Sequence, residues 1–149
     1  MVDEADDLGI GGEVGRHLAR AYGEDAEAIL AAIRADRRLG ERITPGRPYV
    51  WAEVPHVVRG EMALTLDDVL TRRLHLFYEA RDGGLSVARA IAERMAGEEG
   101  IGWNAAEVER QVERYRAAVE ATRGFGGANP PPGRTDTGTN IGTDTATGG

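Results

Sequence analysis

The sequence predicts an all-α fold: a compact bundle of about six helices with a disordered C-terminal tail. Three observations carry this. Apolar residues recur at three- and four-residue spacing from Glu13 to Arg123, and no strand-like alternation interrupts them. Glycines, prolines and short polar caps fall between these stretches, where helices stop and start. After Arg123 the composition collapses to Gly, Thr, Pro and Asp, with Pro130-Pro131-Pro132 and repeated Thr-Gly and Thr-Asp steps. Such a segment buries too little apolar surface to offset its ordering entropy. The predicted division is a flexible acidic leader over 1–12, a helical domain over 13–123 and a disordered tail over 124–149.

Val14, Leu18 and Tyr22 share one face of the first helix, and Gly23 ends it. Glu24-Asp25 open a second helix whose inward stripe is Ala26, Ile29, Leu30 and Ile33; it runs into Asp36-Arg37-Arg38. Pro45-Gly46 and Pro48 make the following segment an ordered loop, pinned to the core by Tyr49 and Trp51. Pro55 suits the first turn of a short helix, where a missing N–H costs nothing, and Val54, Val57, Val58 and Met62 face inward. After a break near Ala63, Thr65 caps a helix with Asp67 and Asp68 at its positive end. Leu66, Val69, Leu70, Leu74 and Phe77 form its apolar face, and Asp82-Gly83-Gly84 breaks it. Leu85 to Glu99 is next, with Ala88, Ile91, Ala92 and Met95 inward and Gly100 as its stop. Asn104 and Glu107 cap the last helix, whose stripe is Val108, Val112, Tyr115 and Val119; Glu107–Arg110 and Glu113–Arg116 pair at i,i+3.

Composition narrows the function. All 18 basic residues are Arg, against 25 Asp and Glu, for a net charge of −7. An acidic chain repels a polyanion, which argues against nucleic acid and against a DNA-reading helix pair through residues 52–79. Acidity without Lys is the pattern of proteins from salt-rich cells, although a GC-rich genome also exchanges Lys for Arg. The absence of cysteine excludes disulfides, thiolate chemistry and Cys metal sites. No apolar run approaches the ~20 residues of a membrane span. The acidic start lacks a signal peptide's basic and apolar regions, so a cytoplasmic location is expected.

Few residues invite chemistry. Gly9-Ile10-Gly11-Gly12-Glu13-Val14-Gly15 resembles a phosphate loop only superficially: the third glycine is one residue late and no strand precedes it. His17, His56 and His75 are widely spread and form no metal-ligand pair, and each reads as a surface or satisfied core histidine. The lone serine, Ser86, opens a helix. No catalytic, cofactor or metal residue is assigned. The charged set is different: Glu53, Glu61, Arg72 and Arg73 fall in one helical hairpin. Glu53 and Glu61 are read as structural ion-pair partners of the arginines. Arg72 and Arg73 are the candidates for contact with a partner domain or an anion, because a guanidinium fork suits carboxylate and phosphate.

That hairpin also carries a resemblance. Pro48-Tyr49-Val50-Trp51-Ala52-Glu53-Val54, and then Arg59-Gly60-Glu61-Met62-Ala63-Leu64-Thr65-Leu66-Asp67-Asp68-Val69-Leu70-Thr71-Arg72-Arg73, resemble the C-terminal helical domain of FAD-dependent glycerol-3-phosphate dehydrogenases and alpha-glycerophosphate oxidases. His17 to Gly23 and Trp103 to Tyr115 follow in the same order, and the likeness spans about Val14 to Ala121. The family continues with Thr-Arg where this chain has Leu74-His75, and Pro55 is unusual.

The resemblance implies an accessory or cap domain of an enzyme that oxidises sn-glycerol 3-phosphate to dihydroxyacetone phosphate. The flavin, hydride-transfer site and phosphate-binding residues lie in the N-terminal parts of such enzymes. FAD is therefore expected in a flavoprotein partner and not in this chain. The partner would be the FAD-binding catalytic domain, with peripheral membrane association through it. The alternative readings are a free-standing helical interaction module and, less in keeping with the sequence, an enzyme using the arginine pair on a small phosphate ester.

Overall fold

The computed structural model describes residues 1–126, and these form seven α-helices, two 3₁₀ turns, one π-helical turn and no β-strand. The helices are α1 Val2–Asp7, α2 Gly12–Tyr22, α3 Ala26–Ala35, α4 Glu53–Glu61, α5 Leu76–Glu79, α6 Leu85–Ala96 and α7 Ala105–Gly126. The π-turn is Asp68–Arg73. Apart from Gly124 to Gly126, which close α7, the tail expected over 124–149 lies outside the described residues.

Two apolar clusters make the core. Val14 and Leu18 of α2 meet Ala26, Ile29, Leu30 and Ile33 of α3, with Val50 and Ala52 from the loop. The larger cluster joins α4, the π-turn, α6 and the stripe Val108, Val112, Tyr115 and Val119 of α7. The expected stripes are therefore the buried ones. The loop between α3 and α4 links the clusters. Ile43 N–H donates to Tyr49 O at 2.9 Å and Trp51 N–H to Glu41 O at 3.1 Å, which fold it into an antiparallel pair. Successive residues then point to opposite sides: Tyr49 into the larger cluster and Val50 into the smaller.

Four expectations are corrected. The leader is not featureless over 2–7: α1 packs on α2, with Ala5 buried and Glu4 paired to Arg34 of α3. Gly15 permits the approach, since a Cβ there would meet the Ala5 Cβ at 2.8 Å. Met62 is not inward. It ends α4 in the left-handed conformation, φ 52, and is 74% exposed. The left-handed cap turns the chain so that Ala63 N–H closes on Val57 O at 3.2 Å.

The third correction concerns the helix after Thr65. Thr65 does cap it, its Oγ1 accepting from Asp68 N–H at 3.1 Å. The backbone then widens into the π-turn, where Leu74 N–H reaches Val69 O at 2.8 Å. His75 follows in the left-handed conformation, φ 51, and α5 restarts at Leu76. One long helix has become two pieces, because the wide turn lets Leu70, Leu74 and Leu76 all be fully buried. α6 also stops earlier than expected, at Ala96, since Glu98 turns inward to Arg59 of α4 at 2.6 Å.

Candidate functional site

The most unusual buried group is Glu53. Its side chain is fully excluded from solvent at the start of α4. A buried carboxylate persists only with donors around it, and Glu53 has three. Val50 N–H donates to Oε1 at 2.8 Å. Tyr22 Oη–H donates to Oε2 at 2.8 Å, and His17 Nε2 lies 2.8 Å from the same oxygen. A carboxylate only accepts, so with this partner the neutral His17 ring donates from Nε2 and Nδ1 is left as an acceptor. Burial first, and then the Glu53 charge, push the Tyr22 phenol far above its ordinary range, so it remains a donor. The expected pairing of Glu53 with the hairpin arginines does not form. The first turn of α4 is wedged against α2, and its carboxylate faces His17 and Tyr22 rather than the π-turn.

His17 is also part of the wall of a cleft of about 520 Å³ between α2, the loop and the π-turn. Arg16 and Arg20 line it from α2, Tyr49 from the loop, and Arg73 and His75 from the end of the π-turn. Burial first, then the Glu79 carboxylate, raise the Tyr49 phenol, which stays protonated at neutral pH. Two acids also line the cleft, and each is held by an arginine outside the lining. Glu13 pairs with Arg42 at 2.8 Å and Glu79 with Arg47 at 3.5 Å.

Glu61 and Arg73 do meet: Arg73 Nε lies 2.8 Å from Glu61 Oε2, and Nη2 donates to Glu61 O at 3.2 Å. That pair clips the end of α4 to the π-turn. Arg72 faces a different groove, lined also by Thr65, Gln111, Arg114 and Tyr115, and pairs with Asp68 at 3.5 Å. The two arginines therefore do not act as one fork. Sequence reasoning missed Arg16 and Arg20. Their i,i+4 spacing on the exposed side of α2 was visible, but their meeting with Arg73 depends on how the π-turn docks. Among the described residues, no group of three His, Asp or Glu side chains is placed to hold a metal ion.

Comparison with known proteins identifies the fold's relatives. Residues 2–108 match the family model described as the C-terminal domain of alpha-glycerophosphate oxidase, and the chain belongs to that family. It is 37% identical over 106 residues to "Glycerol-3-phosphate dehydrogenase 2" of Mycobacterium tuberculosis, covering 71% of this chain and 18% of that protein. It is 33% identical over 105 residues to "Glycerol-3-phosphate dehydrogenase" of Synechocystis sp., covering 70% and 19%. A third relative, "Probable glycerol-3-phosphate dehydrogenase, mitochondrial" of Caenorhabditis elegans, is 31% identical over 122 residues, covering 79% and 16%. The chain thus spans under a fifth of the length of these relatives. No solved structure matches it.

Proposed function

We propose that this chain is the C-terminal accessory domain of an FAD-dependent glycerol-3-phosphate dehydrogenase and acts with a separate or preceding flavoprotein part. In that enzyme sn-glycerol 3-phosphate is oxidised to dihydroxyacetone phosphate, with hydride passing to FAD and electrons onward to a quinone or another acceptor. The carrying observation is that residues 2–108 match the model of a C-terminal domain, while the chain covers 18% of the first relatives. A hydride-transfer site needs a flavin and a base beside the substrate carbon. In this reading both belong to the partner, and this chain supports its assembly.

The surface between α4 and α5 favours such a partner. Met62, Leu64 and Tyr78 are 74%, 52% and 72% exposed, and in sequence they flank Arg72 and Arg73. Exposed large apolar side chains suit a partner surface, and arginines nearby in sequence suit carboxylates on the other side. No helix among the described residues is long and apolar enough to cross a membrane, so membrane association in this reading runs through the partner.

The test is co-expression with the M. tuberculosis relative shortened to remove its matching C-terminal region. The chain should co-purify with flavin absorbance and raise dye-coupled oxidation of glycerol 3-phosphate. A shortened flavoprotein that is fully active alone and never retains the chain would sink the proposal.

A further inference from the structure

The lining of the cleft beside α2 carries more positive than negative side chains. Three of the acids at or beside it are matched one to one: Glu13 by Arg42, Glu79 by Arg47 and Glu61 by Arg73. Arg16 and Arg20, both exposed and both lining the cleft, have no ion-pair partner among the described residues. Asp6 of α1 does not line the cleft, although its carboxylate and the Arg16 guanidinium both approach Gly12, so Arg20 is the more fully available of the two. Glu53 lies behind the cleft wall, its oxygens turned to Val50, Tyr22 and His17. Along the lining Arg16, Arg20 and Arg73 outnumber Glu13 and Glu79, a local excess against the chain's net charge of −7.

The donors point the same way. Arg73 spends Nε and Nη2 on Glu61 and keeps Nη1. His17 spends its Nε2 proton on Glu53, which leaves Nδ1 of the neutral ring an acceptor, so the ring serves as wall and is braced edge-on by Tyr49 at 4.8 Å between centroids. His75 stands at the mouth in a left-handed conformation that a β-carbon disfavours. Such strain persists only where its surroundings hold it, and it brings His75 into the same concavity as Arg73.

We propose that this cleft binds a phosphoryl dianion, with Arg16, Arg20 and Arg73 as its charged contacts and His75 as an N–H donor at its mouth. Guanidinium forks offer paired N–H donors to its oxygens. The phosphoryl group can be carried by a small soluble ester or by a lipid headgroup. The site differs from the apolar partner surface above, and it would survive the failure of the dehydrogenase reading.

The test uses the full 149-residue chain at low ionic strength, where exposed charges are least screened. Inorganic phosphate and glycerol 3-phosphate are titrated by calorimetry and by amide chemical shift. Vesicles of phosphatidylcholine with and without phosphatidic acid form the second arm. Saturable binding should appear, with shifts at His17, Arg20 and His75. Arg20→Ala should weaken it about tenfold, the loss of one charge-assisted contact. Arg72→Ala, in the other groove, should leave it unchanged, and both variants should melt like the parent. Response to the soluble anions assigns a small ester. Response only to phosphatidic acid vesicles, with the same Arg20 dependence, assigns a lipid headgroup. No saturable response in either arm up to about 20 mM phosphate, or equal weakening by Arg72→Ala, overturns the proposal.

Discussion

Replacing Glu53 tests the frame of the domain most sharply. Glu53→Ala removes the acceptor for three donors at once: Val50 N–H, Tyr22 Oη–H and His17 Nε2–H. Val50 is fully buried, so its N–H would lose its partner with no water to replace it. An orphaned buried donor costs roughly 1–3 kcal/mol. Tyr22 and His17 are half-buried and can partly rehydrate, so each adds less. The vacated side-chain volume adds a cavity cost. Together these give about 3–5 kcal/mol, the range for breaking a buried charged network. For a domain of this size that lowers the melting temperature by on the order of 10–20 °C. Tyr22→Phe removes a single donor and should cost about 1–2 kcal/mol. Glu53→Gln should fall between them, because its amide brings a donor to a site already crowded with donors. Urea unfolding followed by far-UV circular dichroism gives all three values. If Glu53→Ala falls within about 1 kcal/mol of the parent, the carboxylate does not organise the contact between α2 and α4.

Other predictions address separate parts. Gly15→Ala should loosen α1, since its Cβ would meet Ala5 at 2.8 Å; a stability loss of about 1–3 kcal/mol and faster proteolysis around Gly9 to Gly11 are the readouts. Asp82 caps α6 through Gly84 N–H at 2.9 Å and Ser86 N–H at 2.7 Å. Partial burial raises its carboxyl, but the hydrogen bonds from Ser86 and Gly84 outweigh that and hold it below the usual 3.8. A depressed folded-state value stabilises above the unfolded value and is lost as pH falls through the folded one. Asp82→Asn should therefore cost about 1 kcal/mol at neutral pH, and the gap should close in unfolding curves taken progressively below pH 3.8. His75→Gly should raise stability by about 0.5–1 kcal/mol by relieving the left-handed strain, while weakening phosphate binding; a destabilised variant would mean that the His75 side chain packs as well as strains.

Most of the helical core was legible because burial follows periodicity. Ile29, Leu30 and Ile33, or Val108, Val112 and Tyr115, are inward in the structure as their spacing requires. What the spacing concealed was set by contacts distant in sequence. α1 carries only Val2 and Ala5 as apolar residues facing in, too few for a periodic signal, and Gly15 supplies the missing half of that interface. The π-turn and His75 break a stretch whose local pattern reads as one helix, because Leu74 and Leu76 both find room in the larger cluster. Glu53 sits three residues after Val50 and far from His17 and Tyr22, so its burial could not be read from the charged hairpin alone. For the same reason Arg16 and Arg20 drew no notice, although the run containing Glu61 and Arg73 did.

The π-turn has a consequence for how the chain tolerates changes in length. Where Leu74 N–H returns to Val69 O, an α-turn would cover the same ground with one residue fewer. Deleting half-buried Thr71 should let the turn tighten to ordinary helix while the Leu70 and Leu74 side chains keep their seats on either side. The same deletion within α3 or α6 would rotate every later side chain of that helix off its partners. A single-residue gap at this place is thus a change of gauge, which the domain can absorb.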